Sequence, residues 1–374
     1  MTRPAPLLRS LARSLPCFSS SSTPGCRSFS SSLLRRDAPK PASVPVALIA
    51  QIRSQRPGTP LSLARSALLA TSNDVPSALA WIQQQAAEAG AKKAEKLSAR
   101  TAEQGLVAVA VLADGTGGVG VRASLVEMRC ETDFVARTDE FRELAEGIAR
   151  SLAFFAEPAK EEKLATLDIQ SPALLDMPVV PSPSTVASLA ATDDKSPSET
   201  IRTSIASIVS RLGENIRLHR AASISLEPSL PSASSPTFLA SSYLHGSKTP
   251  ADAAKDGVQS GTLGGLLIAR LGAGGSVDKT EVKSVLRALA RQVVAVPTTS
   301  IRAPADAPQR AEGEPSTALY DQQLITMAPS PKFEFEAGSN VGTVLRKWSE
   351  LRGVEGEGIE VVELGRWEVG AQEE

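Results

Sequence analysis

The chain has 374 residues, 42% hydrophobic and 22% charged, with 40 basic and 41 acidic side chains. That is globular composition, and the length suits two or three modules. No apolar run approaches the roughly 18 residues of a membrane-spanning helix. Aromatics make up only 4%, so the cores must be built from Ala, Val, Leu and Ile.

Residues 1–36 contain Arg3, Arg9, Arg13, Arg27, Arg35 and Arg36, a crowd of serines and no acid before Asp37. This pattern predicts a mitochondrial transit peptide, with residues 1–43 as leader and linker and the mitochondrial matrix as destination. Without the six arginines, 34 basic residues face 41 acidic ones, a net charge of −7. An acidic chain is a poor nucleic-acid binder and suits a protein partner better. Cys17 and Cys26 fall in the leader, which leaves Cys130 alone. A single cysteine permits neither an internal disulfide nor a zinc site.

Short helices are expected from residue 44 to about 90. The first carries Val46, Leu48, Ile49 and Ile52, and Arg56-Pro57-Gly58-Thr59-Pro60 breaks it. Two more span 61–71 and 76–88, with Asn73 and Gly90 as stops. Residues 92–100 read as a basic helical connector. Val107, Val109 and Val111 then alternate with Ala, a turn follows at Asp114-Gly115-Thr116-Gly117-Gly118, and a second strand runs from Val119 to Cys130. Thr138 caps the next helix, with Asp139 and Glu140 in its first turn and Phe141, Leu144, Ile148, Leu152 and Phe155 on its apolar face.

Residues 157–195 are rich in Pro, Ser and Ala, show no sustained period and read as a long insertion, mobile in part. Ser196-Pro197-Ser198-Glu199 resembles a capping box that opens a helix bearing Ile201, Ile205, Ile208, Val209 and Leu212, which Gly213 stops. A strand from 216 to 226 and a linker at 228–236 follow. Strands at 238–245 and 263–271, a helix opened by Asp278 and Glu281 with Val282, Val285, Leu286 and Leu289 inward, a loop at 303–315, a helix at 341–348 and a strand at 358–369 complete the chain. The simplest architecture is α+β: a three-helix module at 44–90, a subdomain at 91–236 and another at 237–374, each of the latter a small antiparallel sheet covered by helices.

Three stretches carry a resemblance. Glu131-Thr132-Asp133-Phe134-Val135-Ala136-Arg137 follows a strand and precedes a capped helix; Arg211-Leu212-Gly213-Glu214-Asn215-Ile216 and Ser242-Tyr243-Leu244-His245-Gly246 come after it. In sequence and order they resemble the signature segments of the elongation factor Ts family. The resemblance covers most of residues 44–370. The segment from Arg56 to Leu68 departs from it, since Gly58 and Ala67-Leu68 alone match the family's usual turn there.

The resemblance implies a ubiquitin-associated-like N-terminal module, a core of two related subdomains, and a non-enzymatic task. That task is to bind mitochondrial elongation factor Tu in its GDP-bound and nucleotide-free forms, expelling GDP so that GTP can enter. It also implies that Thr132, Asp133, Phe134, Val135 and His245 contact the partner. Read without the resemblance, Asp133 is a helix cap, Val135 is core, His245 is a surface residue, and Phe134 is equally a core ring or an exposed wedge.

The chain has no phosphate-binding P-loop or dinucleotide fingerprint of its own, and Gly272-Ala273-Gly274-Gly275 lacks the Lys-Ser/Thr that would make one. No cofactor is expected. Two other functions can be drawn from the sequence. A thiol enzyme would use Cys130 with His219 or His245 as base, but Val126, Met128 and Cys130 share the strand's apolar face, opposite Glu127, Arg129 and Glu131, which suits a buried thiol. A helical adaptor protein would use the N-terminal module.

Overall fold

The computed structural model describes residues 44–56, 58–116, 118–158, 161–183, 185–186, 199–228, 237–247, 256–272, 277–304, 315–329, 333–354 and 358–371. The leader at 1–43, Pro57 and Gly117 lie outside these residues. So do Ser196 to Ser198 of the expected capping box, most of the linkers at 228–236 and 303–315, and Ala273 to Gly275.

Three helices open the described residues, α1 (Val46–Gln55), α2 (Leu61–Ala70) and α3 (Val75–Leu97). Ile49, Ile52, Ala64, Ala67, Leu68, Val75, Ala78 and Ile82 form their shared core. Asp74 caps α3 by accepting from the Ser77 amide, with Pro76 in the first turn. Asn73 does end the preceding turn, in a left-handed conformation (φ 65°). Gly90 does not stop α3, which runs on through the expected connector to Leu97. Its reason is contact: a Cβ there would lie 2.5 Å from the Ala206 carbonyl oxygen, so the missing side chain lets α3 lie directly on a later helix.

The body is a stack of helix, sheet, sheet and helix. The first sheet contains β1 (Gln104–Asp114), β2 (Val121–Cys130), β3 (Ala165–Thr166), β4 (Arg217–Leu226) and β6 (Val258–Gly261), in the order β3-β4-β2-β1-β6. The second contains β5 (Thr237–His245), β7 (Leu263–Leu271) and β8 (Ile359–Glu368), in the order β5-β7-β8. Every pairing in both sheets is antiparallel, so the fold is α+β with small antiparallel sheets. Residues 258–261 pair with β1 although they follow β5 in the chain.

The period-2 geometry of the strands accounts for the stacking. Leu106, Ala108, Val126, Met128 and Cys130 face α5 (Asp139–Phe154) and α7 (Ile201–Leu212), where they join Phe141, Ile148, Leu152, Ile201 and Val209. Val107, Val109, Leu125 and Ile224 point the other way and meet Ala240, Leu244, Leu266 and Ile268 of the second sheet. The outer face of that sheet, with Leu239 and Leu267, lies on α8 (Lys279–Ala295) and α9 (Val341–Arg352) through Val282, Val285, Leu289, Val344 and Trp348. Strands buried on both faces must be apolar at nearly every position, which explains the run from Leu106 to Ala110.

Several sequence expectations need correction. Thr138 does cap α5 by accepting from the Phe141 amide, but Phe155 is not core. It is 42% exposed and makes an edge-to-face pair with Phe154, which is 56% exposed, at 5.0 Å. Residues 161–183, inside the stretch read as a long insertion, form a folded strap. The strap contributes β3, the single turn α6 (Pro172–Leu175) and a bridge from Pro178 to Thr200, and it packs Leu174, Met177 and Val179 into the first core. Helix α7 begins at Ile201, not Pro197; Thr200 and Thr203 cap each other reciprocally. Gly213 ends it as expected, at φ 78°.

Candidate functional site

Strand β2 ends at Cys130, and the chain turns into α4 (Asp133–Ala136), a helix of one turn. Thr132 is its N-cap: it has extended backbone, and its hydroxyl accepts from the Val135 amide. Asp133, expected as the cap, instead occupies the first helical position and pairs with Arg137 at 3.0 Å, both side chains being largely exposed. Such a pair adds little stability. The helix divides its two apolar side chains. Val135 is only 4% exposed and packs with Phe141 and Leu144. Phe134 is 77% exposed, with its ring in solvent. Singly exposed apolar side chains are ordinary, but a whole ring at the tip of an element offers apolar area for a partner to bury.

The base under this tip is built from a distant segment. The Thr132 hydroxyl donates to Glu214 Oε1 at 2.6 Å, and its amide donates to Glu214 Oε2 at 3.1 Å. Glu131 reciprocates: its Oε1 accepts from the Asn215 amide at 2.7 Å. The Asn215 side chain donates to the carbonyl oxygens of Arg100 at 2.6 Å and Ser98 at 3.4 Å. Lys93, on α3, donates to the Ser210 carbonyl at 2.7 Å near the end of α7. The first two signature segments are therefore hydrogen-bonded to each other and to the connector leaving α3.

His245 is exposed at the end of β5, where its carbonyl accepts from the Thr262 amide at 3.1 Å. It belongs to the other sheet but lies toward the same end of β1. Gln104 is opposite Cys130, while Val107 is opposite Gly261, whose Cα sits against the His245 carbonyl. Gln104 and Val107 are about 10 Å apart along the strand. Among the described residues, the side-chain hydrogen bonds of Thr132 run to Glu214 and Val135, not to His245. Tyr243, two residues before it, has Arg291 of α8 over its ring at 5.6 Å.

The Elongation factor TS family model matches residues 131–304. The chain is similar to mitochondrial elongation factor Ts of Malassezia globosa, with 32% identity over 86% of this chain and 87% of that protein. It is similar to the same factor from Mycosarcoma maydis, with 30% identity over 88% and 85%. For Coprinopsis cinerea the figures are 34% over 90% and 95%. The chain belongs to the elongation factor Ts family.

Its role is therefore in translation elongation. The candidate site is a surface tip that presents the Phe134 ring to solvent. Among the described residues no group of His, Cys, Asp and Glu could hold a metal ion, and no helix is long and apolar enough to cross a membrane. Cys130 is fully buried and donates to the Thr132 carbonyl at 3.2 Å. Burial, assisted by the Glu214 carboxylate, pushes its thiol up to about 12, the opposite of an activated nucleophile. Burial lowers the pKa of His219, with Arg129 adding to the effect.

Sequence reasoning missed two arrangements. One is the pairing of Glu214 and Asn215 with Glu131 and Thr132; both motifs were visible, but nothing in their spacing brings them together. The other is Glu127. It lies opposite the Cys130 face as expected, yet it is wholly buried. Arg129 donates to it at 2.8 Å, Arg220 at 2.6 Å and the Gly370 amide at 3.4 Å. Arg220 also lies 4.5 Å over the Trp367 ring. The end of the second sheet roofs that part of β2, and a strand's alternation says which way a side chain points, not what covers it.

Proposed function

We propose that this chain is the guanine nucleotide exchange factor of mitochondrial elongation factor Tu, acting on its partner's nucleotide and carrying out no chemistry of its own. The observation that carries this reading is Phe134, an aromatic ring 77% exposed on a one-turn helix whose base is fixed by Glu131, Thr132, Glu214 and Asn215. Expelling a tightly held nucleotide requires negative coupling between two binding events, and a thousandfold weakening requires about 4 kcal/mol. Burying a phenylalanine contributes about 1.5–3 kcal/mol. A pocket for Phe134 that exists only in the nucleotide-free form of the partner converts that burial into a change of shape. Thr132 and Asp133 border the wedge, Val135 anchors it from within, and His245 approaches the partner from the neighbouring sheet.

The proposed organisation is a leader and linker at 1–43, a ubiquitin-associated-like module at 44–90, and related subdomains at 91–236 and 237–374. The arginine-rich leader and the mitochondrial relatives support residence in the mitochondrial matrix. The test uses mitochondrial elongation factor Tu loaded with labelled GDP. Catalytic amounts of the protein accelerate label release in the presence of excess unlabelled nucleotide; unchanged release at saturating protein defeats the reading.

A further inference from the structure

Helix α4 is four residues long, far below the length at which a helix holds itself together. Its one exposed ring makes too little contact with the rest of the chain to fix its own direction. Two anchors remain. Val135 is buried in the first core, which fixes where the turn sits. Thr132 sets how the turn is oriented, because its single hydroxyl accepts from the Val135 amide while donating to Glu214. Glu214 also takes the Thr132 amide, so one carboxylate grips both groups of the cap. Bonds to an ionised acceptor are roughly twice as strong as neutral ones.

Glu214 is itself held firmly. It follows the left-handed Gly213 that ends α7, and its neighbour Asn215 is tied to Glu131 and to the Arg100 carbonyl. We propose that Glu214 is a positioning residue for nucleotide exchange, orienting Phe134 through the Thr132 cap so that the ring meets the partner already directed. A wedge fixed in its bound direction avoids an ordering cost on docking. This proposal rests on the exchange reading of Phe134.

Two measurements on the full chain test it. The first is hydrogen exchange at the amides of residues 135–138 in the free protein. Glu214→Ala should speed exchange there about tenfold or more, since charge-assisted bonds are lost, while β2 and α5 keep their protection. Unchanged rates overturn the proposal. The second is a double-mutant cycle in GDP release. Glu214→Ala should lower kcat/KM about tenfold in the parent chain and have little further effect in the Phe134→Ala background. Glu214→Gln, which can still accept from the Thr132 amide, should recover part of the loss. Losses that multiply regardless of Phe134 overturn the positioning role. If the unaltered protein fails to accelerate GDP release, it is the exchange reading that fails; exchange intact with no coupling between the two sites defeats this proposal alone.

Discussion

Replacing Phe134 with alanine separates a binding ring from a structural one, and the expected numbers are far enough apart to decide. With 77% of its surface exposed, folding buries about a quarter of the side chain. Complete burial of a phenylalanine is worth about 1.5–3 kcal/mol, so truncation should cost the free protein roughly 0.5 kcal/mol. That shift moves Tm by about 1–2 °C. Phe141, seven residues on, is fully buried in the first core. Its truncation should cost about 3–5 kcal/mol. In exchange the order reverses. A central interface aromatic typically contributes about 2–4 kcal/mol, which is about 30- to 700-fold in kcat/KM for GDP release. The assay is label release from elongation factor Tu at several factor concentrations, normalised to folded protein, with calorimetric Tm alongside. A Tm loss for Phe134→Ala comparable to that of Phe141→Ala, with exchange per folded molecule intact, refutes the wedge.

Three further outcomes follow from buried titratable groups. Glu127→Gln leaves Arg129 and Arg220 poorly compensated beneath the second sheet, and should destabilise by about 3–5 kcal/mol in urea titration; a change below 1 kcal/mol, roughly the value of a surface pair, contradicts this account. Burial raises the pKa of the Glu363 carboxyl above 4.5, so its folded state favours the neutral acid and loses stability as pH rises through the folded pKa. Glu363→Gln should therefore be more stable than the parent at pH 7, an advantage that vanishes below about pH 4.5; equal stability across that range counts against it. Cys130, its thiol pushed up to about 12, should resist alkylation in the native protein at pH 7 and react on unfolding, read by mass mapping at that residue. Rapid native labelling would reopen the thiol-enzyme reading.

Elements with a long, clean period were legible. The hairpin of β1 and β2, the cap of α5 at Thr138 and the apolar face from Phe141 to Leu152 follow from spacing alone. The same spacing extended one step too far, to Phe155, because period cannot reveal that the helix runs out of core to cover it. The strap at 161–183 escaped notice for the opposite reason. A two-residue strand and a single helical turn have no period, and their burial depends on surfaces supplied by α5 and α7. Gly90 read as a stop because glycine is a poor helix former, whereas its use is to admit the Ala206 backbone. At the site, the motifs named Thr132 to Val135, but sequence alone left Phe134 between core and surface. The partner of Thr132 is 82 residues away, a separation over which no local pattern operates.

The late arrival of β6 has a consequence for how the chain reaches its native state. Val107 to Ala110 of β1 pair on one side with β2, close in sequence, and on the other with residues 258–261. Until about 150 further residues have been made, that side of β1 presents open backbone amides and carbonyls beside an almost uninterrupted apolar run. An open edge of this kind templates association with other chains, and closing it requires a contact of high sequence separation, which slows folding. A polypeptide truncated before residue 258 should therefore associate and precipitate rather than persist as a half-sized monomer. During synthesis the nascent chain has most need of chaperone protection over the interval between the emergence of β1 and that of β6.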